Sequence, residues 1–157
     1  MSLSHLSAIQ VPPPQLVELA ASSGFDAVSI RVARTAHDRG FQLSEGSDML
    51  RDTKSSLADN GLRVLDVEVV KLHPGSSRED WLFVCEAGAE LGAEHLVVTV
   101  LDDDPARATD NLAALSALTA EYDLRVCLEP MIFSSVRDLA AAAALVAAPG
   151  MGSAGGL

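Results

Sequence analysis

Four charged residues stand at the ends of apolar, strand-like runs: Arg31 in 25–32, Glu68 in 62–70, Asp102 after 95–101, and Glu129 closing 124–129. Glu129 is the clearest case, because it follows Val126-Cys127-Leu128 and precedes Pro130. An ionisable group at the tip of an apolar strand is costly to bury without a partner. A hard divalent cation would be such a partner, and a ligating carboxylate beside a carbonyl can also take up and return a proton. Glu129 is thus the candidate catalytic group and the candidate metal ligand. The competing reading makes it the solvated first residue of a loop.

Alternate residues of a strand share a face, so Val64, Asp66 and Glu68 are expected on one side. Two carboxylates there need cations or hydrogen-bond donors, and Arg31 on the preceding strand is the nearest cation in sequence; the alternative is an ion pair facing polar helix residues. Among the histidines, His5 is placed on the first strand and His73 in a Pro/Gly turn, while His37 and His95 fall in a loop and at a strand's beginning. A lone histidine is more often structural than a ligand. The triplet Asp102-Asp103-Asp104 could grip a cation, but an acidic turn before a helix is also explained by the helix dipole. Cys85 and Cys127 have no close-spaced partner of the zinc or redox type and are read as reduced packing residues, with a thiol role for Cys127 as the lesser alternative.

The elements that must position these residues repeat at about 30-residue intervals, strand then helix. A short strand in 3–9 leads through Pro12-Pro13-Pro14 into a helix over 15–23. A strand over 25–32, a long polar connection over 33–46 and a helix over 48–60 follow. Then come a strand over 62–70, a helix over 77–91, a strand over 95–101, a helix reaching 122, a strand over 124–129, and an Ala-rich helix over 136–148 capped by Ser134 or Ser135. Glycines at 24, 61 and 92 close three of the helices. The alternation implies right-handed crossovers and an α/β fold with a parallel sheet.

Five such units make either a complete doubly wound domain or five eighths of a (β/α)8 barrel. In a barrel the strand tips converge on one mouth, so charged tips on four of five strands favour a partial TIM barrel over 1–150 followed by a Gly-rich tail over 151–157. The first strand's loop holds Val11 and three prolines, which lack the N–H groups of a phosphate cradle.

A formal net charge of -11 opposes binding to nucleic acid. No apolar run approaches the roughly 20 residues that cross a bilayer, and the expected location is cytoplasmic.

The stretches Leu3-Ser4-His5-Leu6, 13–24 followed by Phe25-Asp26-Ala27-Val28-Ser29-Ile30-Arg31, Val64-Leu65-Asp66-Val67-Glu68, Leu91-Gly92-Ala93 and Leu128-Glu129-Pro130 resemble, in their order and spacing, the xylose isomerase-like TIM-barrel superfamily. Its sugar phosphate isomerase/epimerase branch is the nearest. The resemblance implies metal-assisted proton transfer on a small sugar, sugar phosphate or related keto or polyol substrate. It also implies a divalent metal (Mn, Mg, Co or Zn) with Glu129 as the fifth-strand ligand, and His5, Arg31 and Glu68 lining the substrate pocket. Ligands from strands six to eight are missing from this chain, which resembles only the family's N-terminal part. Such an arc is expected to be inactive alone and to self-associate through its open edges. An endonuclease-IV-like hydrolase is the alternative within the superfamily; a five-stranded binding domain is the alternative outside it.

Overall fold

The computed structural model describes residues 1–33, 41–148 and 155–156. Strands and helices alternate: β1 (Ser2–Ser4), α1 (Pro13–Ser22), β2 (Ala27–Arg31), α2 (Asp48–Asn60), β3 (Arg63–Leu72), α3 (Arg78–Glu90), β4 (His95–Val100), α4 (Pro105–Ala120), β5 (Arg125–Leu128), α5 (Leu139–Val146) and the two-residue β6 (Gly155–Gly156). All neighbouring strands pair parallel, in the order β1-β2-β3-β4-β5-β6.

That sequential order decides between the two architectures. A doubly wound sheet reverses direction at a switch point and carries helices on both faces. Here each right-handed crossover advances the same way, so the helices fall on one side of the sheet. The fold is a partial (β/α)8 barrel.

The helix-side core joins Val28, Ile30, Val64, Val67, Leu96, Val98, Val126 and Leu128 of the sheet to Val17, Leu57, Val84, Leu112 and Leu115 of the helices. Helix α3 sits close because residue 88 is glycine: a Cβ there would stand 3.0 Å from Leu124 and 3.1 Å from Val67. Inter-unit ion pairs run between α2 and α3 (Lys54–Glu90, 2.5 Å) and between the ends of α3 and α4 (Arg78–Glu121, 2.8 Å).

Several boundaries differ from the sequence reading. β1 stops at Ser4, whose hydroxyl accepts the Leu6 N–H and starts a 3-10 turn over His5–Ala8; His5 therefore lies just beyond the strand. β3 runs on to Leu72, so Glu68 is not at its tip. The pairing of β2 with β3 shifts register, Val28 opposite Val64 but Ser29 opposite Asp66. The extra residue, Leu65, breaks the alternation and turns Val64 to the helix side. α5 begins at Leu139, with Asp138 rather than a serine as its cap. His37 lies outside the described residues, as do 149–154 and 157.

Candidate functional site

Paired residues of parallel strands point to the same side, so β1 to β5 present Ser2, Ser4, Ser29, Arg31, Asp66, Glu68, Val97 and Cys127 on the inner face, opposite the helices. The Glu129 N–H donates to the Val98 carbonyl at 2.8 Å, which carries the β4–β5 pairing one residue further and puts Glu129 on that face too.

Hydroxyls and one guanidinium hold the carboxylates. Ser29 Oγ donates to Asp66 Oδ2 at 2.7 Å, and Ser4 Oγ donates to Glu68 Oε1 at 3.2 Å. Arg31 Nε donates to Glu68 Oε2 at 3.3 Å, with side-chain exposures of 14% and 8%. Burial raises the Asp66 pKa, the Ser29 hydrogen bond opposes the rise, and the Glu68 charge adds to it. Glu129 is likewise raised, first by burial, then by the Glu68 charge, with Arg31 opposing and Asp66 adding. Three carboxylates therefore sense one another across the inner face, with Arg31 among them.

His5 is 1% exposed. Its Nδ1 accepts the Arg31 main-chain N–H at 3.1 Å, so the neutral ring carries its proton on Nε2, which donates to the Val11 carbonyl at 2.9 Å. Its ring lies nearly parallel to Phe41, at 5° and 6.2 Å between centroids.

Other candidates have structural tasks. Asp102 accepts two hydrogen bonds from Arg107, each 2.7 Å, and these hold its pKa down; Asp104 caps α4. His73 Nδ1 accepts the Gly75 N–H in an exposed turn, and His95 Nδ1 contacts the Leu65 carbonyl. Cys85 is buried in the core, its pKa pushed up to about 11 by burial. Ser4 and Ser29 were not singled out from the sequence as carboxylate partners, although the alternation Ser2-x-Ser4 and Ser29-x-Arg31 marks them as sharing a strand face with Arg31.

A divalent metal needs several oxygen or nitrogen ligands. Among the described residues no three His, Cys, Asp or Glu side chains converge closely enough to hold one. Glu129 can supply one ligand, not a set.

No family model matches the chain, and none of the curated proteins does. Solved structures do. A xylose isomerase domain containing protein of Salmonella typhimurium superposes with a TM-score of 0.75 at 19% identity, over 92% of this chain and 55% of that one. A D-psicose 3-epimerase, solved with D-fructose, gives 0.74 at 16% identity over 98% and 61%. The IolI protein with a bound zinc atom gives 0.73 at 16% identity over 99% and 60%. This chain spans little more than half the length of these structures. Its fold is a partial (β/α)8 barrel, similar to the corresponding part of these structures.

Proposed function

We propose that the chain is the strand-one-to-five portion of an isomerase or epimerase that moves a proton on a small sugar, sugar phosphate or related keto or polyol compound. The observation that carries this reading is Glu129, placed beyond the end of β5 on the inner face with its proton affinity raised by burial and by Glu68. A base that must take and return a proton near neutral pH works best when its pKa is drawn toward that pH. Arg31 and Glu68 present donors and acceptors to substrate hydroxyls, and His5 lines the pocket from behind through the Arg31 main chain it holds. A bound divalent metal would polarise the substrate carbonyl. Glu129 would be one of its ligands, and further ligands would have to come from outside the described residues.

The test is solvent exchange. A complete barrel carrying these five units, with Mn²⁺ and a ketose such as D-fructose in heavy water, should introduce deuterium at the carbon beside the carbonyl, followed by NMR. Glu129→Gln should reduce the rate by at least about a hundredfold. Equal rates in the two proteins would remove Glu129 from the chemistry, and no exchange by the unaltered complete barrel would overturn the reading.

A further inference from the structure

Two consecutive residues at the end of β1 reach the same ion pair from opposite sides. Ser4 Oγ binds Glu68 Oε1, leaving Oε2 to Arg31 Nε, and His5 Nδ1 receives the Arg31 main-chain N–H. The backbone of Arg31 is thus fixed from β1, and so is the carboxylate that its side chain meets.

The ring of His5 has further ties. Its Nε2–H reaches Val11, in the loop before α1, and its face lies nearly parallel to that of Phe41, in the connection between β2 and α2. One buried imidazole therefore joins three segments that follow the carboxyl ends of β1 and β2. Ser4 is fixed in turn, because its hydroxyl also accepts the Leu6 N–H of the turn that carries His5. A neutral apolar side chain of the same size could fill the space but could not accept the Arg31 N–H.

We infer that Ser4 and His5 are a positioning pair, acting through Arg31 and Glu68 rather than by touching substrate. Their consequence for turnover rests on the proton-transfer reading above; the positioning itself does not. The pair sets the direction from which the guanidinium meets Glu68, and with it the polar surface offered beside Glu129. The Ser4 bond to a carboxylate accounts for roughly a ten- to hundredfold change in such an equilibrium and the His5 bond to a neutral main-chain N–H for roughly a two- to tenfold one, so loss of either partner should loosen Arg31 measurably without unfolding the chain.

The direct readout is the Arg31 Nε–H signal in an NMR spectrum of the ¹⁵N-labelled chain, with its rate of exchange against solvent. Ser4→Ala should speed that exchange by about tenfold or more, and His5→Phe by roughly two- to tenfold, although the phenylalanine keeps a ring against Phe41. Ser4→Thr keeps the hydroxyl, and His5→Asn keeps an acceptor near the Nδ1 position; both should restore slow exchange. Once Glu68 has been changed to Ala, Ser4→Ala should have little further effect. An Arg31 signal unmoved by Ser4→Ala and His5→Phe overturns the proposal. So does equal loosening by the Thr and Asn variants, which would indicate bulk packing rather than hydrogen bonding. Neither result depends on catalysis, so failure here is separable from failure of the exchange experiment.

Discussion

Replacing Arg31 by Met tests whether the inner face is an enclosed site or a solvated surface. The Arg31–Glu68 contact is 3.3 Å with both side chains mostly buried. At an effective dielectric of about 20, two unit charges at that separation attract by about 5 kcal/mol, against which desolvation must be set. Breaking a buried pair by removing one partner typically costs about 3–5 kcal/mol, whereas an exposed pair contributes about 0.2–1 kcal/mol. Glu68 would be left with the Ser4 hydroxyl and with Asp66 and Glu129 for neighbours. We expect Arg31→Met to destabilise by about 3 kcal/mol. Glu68→Met should cost less, because Arg31 still faces two carboxylates. The double variant should cost less than Arg31→Met alone, giving a coupling of about 2 kcal/mol. Urea unfolding of the four proteins at neutral pH measures all three quantities. A loss below about 1 kcal/mol in Arg31→Met would place the pair among surface ion pairs and refute the picture of a shielded cluster beside Glu129.

Two further outcomes follow from the same geometry. Because the pKa of Glu129 is raised in the folded chain, the native state holds that proton to higher pH than the unfolded state does. Stability from this group is therefore greatest in acid and is lost as pH rises from the ordinary carboxylate value through the raised one; Glu129→Gln should flatten that part of the profile, as urea midpoints between about pH 4 and about pH 7 would show. An unchanged slope would contradict the burial and like-charge causes. Gly88→Val should destabilise by about 2 kcal/mol in thermal melts, since even a Cβ meets Leu124 and Val67 at 3.0–3.1 Å; a gain, as helix propensity alone would give, would show slack between α3 and β3.

Periodicity made much of this fold legible. Gly61 and Gly92 end or follow their helices at positive φ, and the β-branched runs of β3 and β4 lie where the sequence places them. The strand-tip rule located Arg31, Asp102 and Glu129 but could not rank them, because ranking depends on neighbours distant in sequence. Asp102 is saturated by Arg107, five residues on, whereas Glu129 is influenced by Glu68 and Asp66 from another strand. His5 was mispositioned for a local reason: an apolar run such as Leu3-Ser4-His5-Leu6 suits a strand, but the Ser4 side chain competes with the sheet by accepting the Leu6 N–H.

The register shift between β2 and β3 was the least legible feature and has the largest consequence for the site. Simple alternation puts Val64 with Asp66 and Glu68, and that face would then mix core and charge. The extra residue at Leu65 lets Val64 stay opposite Val28 on the helix side while Ser29 meets Asp66 and Arg31 meets Glu68 on the other. One inserted residue thus separates an apolar layer from a polar one within a single strand. The separation gives each β3 carboxylate a donor on β2, which is the condition for keeping two such groups largely buried. With Glu68 held in this way, its charge bears on Glu129, so the proton affinity of the fifth-strand carboxylate depends on the pairing of strands two and three.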